Sequence, residues 1–414
     1  MNTTSKFNWI AGLAAAGLIA LLSACGGGGG TASTTAAPAN GTLSLALTDA
    51  PSCGFDQVNV TVEKVRVHQS ASAGDTDAGW SEIVLTPAKR IDLLGLTNGI
   101  LEELGQTPLP AGKYTQMRLV LASNGSIWPP ANSVLPSGGG VSEVPLDTPS
   151  ATQSGLKMNV DINIEANKVA DFVLDFDACK SVVTRGNSGK YNLKPVVQVI
   201  PRISDAGQRI VGYVDMSVAS TATTVSVQSG GQVIKSTPPD ATGKFALYPV
   251  AAGTYDLVIT APNRVTTLIS GVPVVTTSYT YVGSDTVRIL PPLSTATPPS
   301  TAISQTASGT VSVGGNVVST NASVRVLQAF SGAPTTKVEV AAKPVDADDG
   351  TFTFMLPLGA PARTTYSASA TAITFSPDPA AAGLFILEAA APNQTTKTQN
   401  INLNLGPSNT LFAF

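Results

Sequence analysis

Histidine and cysteine are nearly absent from this 414-residue chain, which holds one histidine, His68, and three cysteines. That supply is too thin for most zinc sites, Ser-His-Asp triads and Cys-His dyads. Charge is scarce as well, at 12% of residues, and 24 Lys and Arg against 27 Asp and Glu leave a net charge of −3. No basic run offers the counterion-releasing surface that nucleic acid requires, so nucleic acid is not expected as a partner. Aromatic residues make up only 6%. The apolar run from Ile10 to Leu22, preceded by Lys6, is too short to cross a bilayer comfortably and has the length of a signal-peptide core. What the chain has in quantity is hydrophobic residues, 43% of the total. They are enough for real cores in about two to four domains of ~100–200 residues each.

The apolar run closes with Leu22-Ser23-Ala24-Cys25, which resembles the bacterial lipoprotein cleavage site. The resemblance implies that residues 1–24 are removed, that Cys25 becomes the acylated first residue, and that the membrane is a partner through this anchor. The alternative is an ordinary secretory signal with an incidental cysteine. Several acyl chains on one residue anchor stably where one would be marginal. Position 26 is Gly and not the Asp that favours inner-membrane retention in lipoproteins, which implies the cell outer membrane, on the periplasmic face or the cell surface. Residues 25–40 are rich in Gly, Ser, Thr and Ala and form a flexible tether. An even remainder, Cys53 and Cys179, in an oxidising compartment predicts a disulfide, with two separate thiols as the alternative. Such a bridge is worth roughly 4–5 kcal/mol in the chain-entropy model, less any strain.

Beyond the tether, apolar residues alternate with period two between Gly, Pro and Asn punctuation, the pattern of an all-β protein. Leu43, Leu45 and Leu47, then Val58, Val60 and Val62, each read as one face of a half-buried strand. The parity slips at Glu63-Lys64, so that Val65 and Val67 resume out of step, which predicts a bulge or a crossing between sheets. Asn98 followed by Gly99 to Leu104, with Gly105 as stop, predicts one short helix. A hairpin is expected over Lys157 to Asp177 with Ala166, Asn167 and Lys168 as its loop. Ile162 would then face Phe172, Val160 face Leu174 and Met158 face Phe176. The same pairing collects Asp161, Asp171 and Asp175, with Asn159 and Asn163, on the outward face.

Two similar β regions follow. Arg209-Ile210-Val211-Gly212-Tyr213-Val214, a turn at Pro238-Pro239-Asp240, Gly243 to Leu247 and Ala252 to Ile259 return in order as Ser308 to Val311, Asp348 to Phe354 and Arg363 to Tyr366. They read as two diverged copies of one sandwich module. The expected organisation is three consecutive β-sandwich domains behind the signal peptide and tether: 41–203, 205–290 and 305–414, with 291–304 as a linker that does not pack.

Leu47 to Pro51, Val65 to His68, Ile91 to Leu94, Leu109 to Leu119, Ser154 to Lys157, Leu174 to Asp177 and Tyr191 to Val196 together resemble the bacterial lipoprotein domain known as domain of unknown function 4382. The resemblance implies an anchored envelope protein and carries no reaction. Thr242 to Leu247 followed by Ala252 to Leu257 resembles the carboxypeptidase regulatory-like, prealbumin-type sandwich, which implies a spacer or adhesive unit. The third region departs from it at Leu358-Gly359-Ala360-Pro361, where the turn is enlarged.

Several residues invite chemistry. Asp161, Asp171 and Asp175 could hold a hard cation such as calcium, or could simply form a solvated sheet face. Asp346, Asp348 and Asp349 before Gly350 lack the later ligands of a calcium loop and read as a turn. His68 has no nucleophile context and reads as a surface or capping residue. Trp80, Trp128, Tyr213 and Tyr248 could build a carbohydrate-stacking platform, but they are dispersed and most of them read as core or strand-edge residues; the loop from Trp128 to Gly140 is the expected contact surface. The terminal Leu411 to Phe414 reads as a last strand or a frayed tail. The functional expectation is a lipid-anchored, non-enzymatic binding, adhesion or structural module without a cofactor, with an envelope glycan or protein as partner. The rivals are an envelope hydrolase using carboxylates of the first domain and a calcium-stabilised adhesive protein.

Overall fold

A computed structural model describes residues 39–49, 54–126, 128–138, 142–296, 301–318, 320–331 and 336–414. The signal peptide, Cys25, Cys53 and nearly all of the tether lie outside the described residues.

The first domain is a sandwich. Its strands are β1 (Asn40–Asp49), β2 (Phe55–His68), β3 (Ser81–Asp92), β4 (Glu102–Pro110), β5 (Gly112–Leu121), β6 (Ser133–Pro136), β7 (Val144–Asp147), β8 (Leu156–Ile164), β9 (Val169–Phe176), β10 (Val182–Arg185), β11 (Lys190–Leu193) and β12 (Val197–Pro201). Two short helices, α1 (Pro149–Gln153) and α2 (Ala178–Ser181), sit between strands. One sheet runs β12-β9-β1-β4; the other runs β10-β11-β7-β6-β2-β5-β8, with β3 also paired to β2. The alternate leucines of β1 and valines of β2 meet in the core between them. The parity slip in β2 is a bulge, with the register shifting between Val62 and Lys64 against both neighbours. β1 is buried on both faces, because the loop after β3 lies over it, where Thr48 Oγ1 stands 2.9 Å from the carbonyl oxygens of both Leu96 and Ile100 and its one proton serves either.

Two expectations for this domain are overturned. The segment from Gly99 to Leu104 is not a helix. Asn98 and Gly99 have positive φ and turn the chain into β4, where Gly105 stands at a bulge against Leu45. Nor do β8 and β9 form a hairpin: β8 pairs with β5 in one sheet, and β9 pairs parallel to β1 in the other. The cause lies in the connecting turn, where Asn167 N–H donates to Asn40 O and Thr42 N–H donates to Lys168 O, drawing the chain across to β1. Gly41 permits the approach, since a Cβ there would lie 2.2 Å from Glu165 O. Met158 and Ile162 therefore share the core with Leu174 and Phe176 from different sheets rather than from one hairpin.

The second sandwich contains β13 (Ile210–Tyr213), β14 (Thr224–Ser229), β15 (Gln232–Thr237), β16 (Lys244–Leu247), β17 (Gly253–Thr260), β18 (Thr267–Val274) and β19 (Thr280–Val282). The third contains β20 (Ser304–Ser312), β21 (Ser323–Phe330), β22 (Thr336–Pro344), β23 (Thr351–Pro357), an excursion with β24 (Ala362–Thr365) and β25 (Ser376–Pro377), then β26 (Leu384–Ala390), β27 (Lys397–Asn402) and β28 (Ser408–Ala413). Sheets β16-β13-β19 and β15-β14-β17-β18 have direct counterparts in β23-β20-β28 and β22-β21-β26-β27. The pairing sense repeats too, with β13–β16 and β20–β23 antiparallel and β13–β19 and β20–β28 parallel. The modules are thus two copies of one topology. The sequence correspondence needs one correction: Arg363 to Tyr366 is not the counterpart of β17, which is β26. β24 instead adds to the second module's sheet, parallel to β18.

Residues 291–304 also differ from expectation, because the described part of them is packed. Val265 N–H donates to Pro292 O (3.0 Å), and Ser294 Oγ donates to Ile303 O (2.6 Å) while accepting from Gly359 N–H (3.0 Å). The three sandwiches belong to one compact unit, residues 38–414. Lys235 on β15 reaches Asp175 on β9, Lys180 of α2 reaches Glu339 on β22, and Gln228 on β14 exchanges hydrogen bonds with the Glu339 backbone. Val258 and Leu268 form a small apolar core with Phe330 and Val338 across the second and third modules.

Candidate functional site

Successive side chains of a strand alternate between faces. On the small sheet of the second module, Ile210, Phe245, Leu247 and Val282 enter the core. That leaves Val211 and Tyr213 of β13 facing away from it. The register places Lys244 beside Tyr213, with Ala246 and Tyr281 on either side of Val211. Tyr279 lies two residues before Tyr281, with the buried Thr280 between them. These side chains line a groove of about 460 Å³, completed by Arg209 and Asp240 and, from the first domain, by Asn98 and Ile100.

Asn98 fixes the first domain's share of this groove. Its Oδ1 accepts from Ala246 N–H (3.1 Å) on the edge strand β16, and its own N–H donates to Thr237 Oγ1 (2.8 Å). The tyrosines remain open, Tyr281 at 57% and Tyr279 at 38% exposure, with ring centroids 6.3 Å apart. The Arg209 guanidinium is stacked between rings, 4.2 Å from the Tyr248 centroid and 5.1 Å from that of Tyr279. Tyr248 is buried beneath it; burial pushes its hydroxyl pKa up, and the hydrogen bond it donates to Asp205 adds to the rise. Asp240 is the one carboxylate in the lining, and its Oδ1 is engaged by Thr242 N–H, Thr242 Oγ1 and Lys244 N–H. Among the described residues, neither Arg209 nor Lys244 is paired with a carboxylate.

The carboxylates singled out from the sequence are dispersed. Asp161 on β8 is exposed and paired with Lys113 (3.0 Å). Asp171 on β9 is held by Arg202, whose Nη2 lies 2.6 Å from Oδ2; burial raises its pKa against the pull of that cation. Asp175 is buried with Lys235 (2.6 Å), and desolvation leaves its pKa above the ordinary value despite the ammonium. The three acids are therefore not gathered on one sheet face, because the hairpin that would bring them together does not form and β8 and β9 lie in different sheets. Among the described residues, no group of three His, Cys, Asp or Glu could hold a metal ion.

The other candidates have structural partners. His68 Nδ1 accepts from Ser70 N–H (2.8 Å) and Nε2 lies 3.0 Å from Ala78 O, so the ring ties both ends of the β2–β3 loop. Trp80 packs under Arg66 and Arg118. Trp128 is 64% exposed but does not line the groove. Asp346 accepts from Thr184 Oγ1 and Gly186 N–H of the first domain as well as from its own turn. Phe412 on the last strand is buried in the third core. A smaller cavity, about 180 Å³, lies where the three modules meet and is lined by Asp177, Lys180 and Glu339. Lys180 bridges both carboxylates at 3.4 and 3.0 Å; burial lowers its pKa, but the two anions outweigh that and raise it. The ammonium thus compensates both carboxylates.

Residues 40–195 match the family model described as Domain of unknown function (DUF4382). Comparison with curated proteins gives no match. Among solved structures, the chain is similar to an interface mutant of a type II cohesin–X-dockerin complex from Acetivibrio cellulolyticus, with 26% identity over 23% of this chain and 65% of that one, at a TM-score of 0.19. A second mutant of that complex is 30% identical over 20% of this chain and 56% of its own, at a TM-score of 0.17. The chain thus spans less than two thirds of either of these relatives. A putative adhesin from Bacteroides ovatus is 9% identical over 51% of this chain and 93% of that one, at a TM-score of 0.18. At such TM-scores the superpositions carry no inference about function.

Sequence reasoning does not single out Tyr279 and Tyr281. The signal exists in Tyr279-Thr280-Tyr281, an alternation that puts two rings on one side of a strand. Nothing in it tells which side is covered.

Proposed function

We propose that the chain is a lipid-anchored protein of the cell outer membrane that works by binding and not by turnover. Acylated Cys25 holds it at the membrane, and the chain between Cys25 and β1 serves as tether. The observation that carries the binding reading is the groove, where three tyrosines and two cations with no carboxylate partner among the described residues share one open surface. Its partner is a component of the envelope, a glycan or a protein. The Cys53–Cys179 bridge belongs to this reading. It is supported by the strands that precede the two cysteines in sequence: β1 and β9 run parallel and end side by side at Asp49 and Phe176, and Asp49 Oδ1 accepts from Ala178 N–H (3.0 Å). The second module carries the groove against the first domain, and the third module packs on the second.

One experiment tests the anchor and the bridge together. Peptide mapping of the membrane-extracted protein without reduction should find an amino terminus at Cys25 carrying acyl mass, and a Cys53–Cys179 cross-linked peptide. Cys25→Ser should retain the signal peptide and lose acylation. An unprocessed native chain, or a Cys25→Ser protein that is still shortened and acylated, would refute the anchor.

A further inference from the structure

We propose that the groove of the second module takes an acidic saccharide, whose sugar faces lie on Tyr281 and Tyr279 and whose carboxylate meets Arg209 and Lys244. The proposal names the ligand class for the binding reading above and rests on it. Two features of the lining point the same way.

The first feature is the pair of exposed rings. A tyrosine presents an apolar face and a polar tip, which suits a partner that is itself apolar on one side and hydroxylated at its rim. Pyranose rings are such partners. Tyr279 and Tyr281 stand 6.3 Å apart, and Tyr213 lines the same floor from the neighbouring strand. An amphipathic helix would need a continuous apolar stripe. Here Lys244, Arg209 and Asp240 interrupt any such stripe.

The second feature is the unspent charge. Arg209 offers a planar fork of N–H donors, pre-oriented because the guanidinium is stacked between Tyr248 and Tyr279. Its Nε is buried, and no described residue accepts a hydrogen bond from it. Lys244 is exposed on the adjoining edge strand, and the nearby Asp240 Oδ1 is committed to its own turn. The buried Nε is closed to a ligand, so a carboxylate would meet the guanidinium at its accessible Nη1 and Nη2, in the bidentate geometry that guanidinium favours. The whole chain is slightly anionic, at −3, so general attraction for polyanions is weak and selectivity must come from this local surface.

The test is titration calorimetry of the full-length protein in detergent with polygalacturonate and with dextran at physiological ionic strength. Polygalacturonate should bind and dextran should bind far more weakly. Tyr281→Ala and Lys244→Met should each weaken polygalacturonate binding by about tenfold or more, with melting temperature unchanged. Tyr281→Phe should retain binding. Polygalacturonate binding that is indifferent to Tyr281→Ala would show non-specific charge attraction and overturn the proposal. Dextran binding equal to that of polygalacturonate and insensitive to Lys244→Met would overturn the acidic ligand. Absence of binding to either polymer would overturn the saccharide. Retention of wild-type protein, but not of Tyr281→Ala, on isolated envelopes would then leave the binding reading standing, and equal retention of both would remove that as well.

Discussion

Lys235 and Asp175 show how one pair of residues acquires its meaning from position. Their side chains are 2% and 8% exposed and 2.6 Å apart, one from each of two modules. Removing one partner of a buried ion pair leaves an uncompensated charge, which costs about 3–5 kcal/mol, whereas replacing both with apolar groups is often neutral. Lys235→Met should therefore lower the melting temperature sharply, and Lys235→Met with Asp175→Leu should recover most of the loss. The pH dependence gives a further check. Desolvation already holds the Asp175 pKa above its ordinary value, and loss of the ammonium raises it further. The folded state then binds the proton more tightly than the unfolded one, so stability is greatest below the unfolded value and falls as pH rises through the folded pKa. Thermal scans between about pH 7 and pH 4 should show Lys235→Met gaining on the wild type as acid is added. A constant gap would refute the account. In the sequence, Asp175 reads as one of three outward acids and Lys235 carries no mark at all, because burial between modules is invisible to strand parity.

At the scale of elements, close approach and edge protection decide what periodicity leaves open. Gly212 and Gly309 occupy equivalent strands in the two copies, and a Cβ at either would meet the ring of Phe245 at 2.3 Å or of Phe352 at 2.6 Å. At Gly309 it would also lie 2.0 Å from Thr410 O on the neighbouring strand. Overpacking of this kind costs about 1–3 kcal/mol. Gly309→Ala should lower the denaturation midpoint in urea by a corresponding amount. An unchanged midpoint would contradict the repeat's shared packing. The excursion bearing β24 shows the second influence. β18 would otherwise leave a row of unpaired backbone groups at its sheet edge, a liability that proteins cover. Ala362 N–H donates to Thr266 O and Tyr366 N–H donates to Ser270 O, closing that edge with chain from the next module. The enlarged turn at Leu358 to Pro361 is legible in the sequence as an irregularity, but its destination is not, since it lies in another domain.

For the molecule as a whole, the three sandwiches are joined by apolar contacts as well as polar ones. Domains in a chain move independently unless their interface is large and hydrophobic. Here Val258 and Leu268 share a core with Phe330 and Val338, and Tyr366, Ile373 and Phe375 of the third region pack against the core of the second. Calorimetry should therefore show the second and third modules unfolding in one transition. Truncation after Leu290 should expose Val258 and Leu268 and lower that transition's temperature. Separate, unshifted transitions for the two modules would refute the coupling.

The all-strand architecture, the bulge in β2 and the duplication of a sandwich follow from local sequence, because period-two alternation, parity slips and glycine-bearing turns act within a few residues. Leu43, Val60 and Val211 disclose their strands in this way. The partner of each strand, the crossover from β8 to β9, the dispersal of Asp161, Asp171 and Asp175, and the assembly of the groove from Asn98, Arg209, Tyr213, Lys244, Tyr279 and Tyr281 depend on the tertiary structure. They rest on contacts between distant segments, and alternation specifies which side chains share a face without specifying what that face meets.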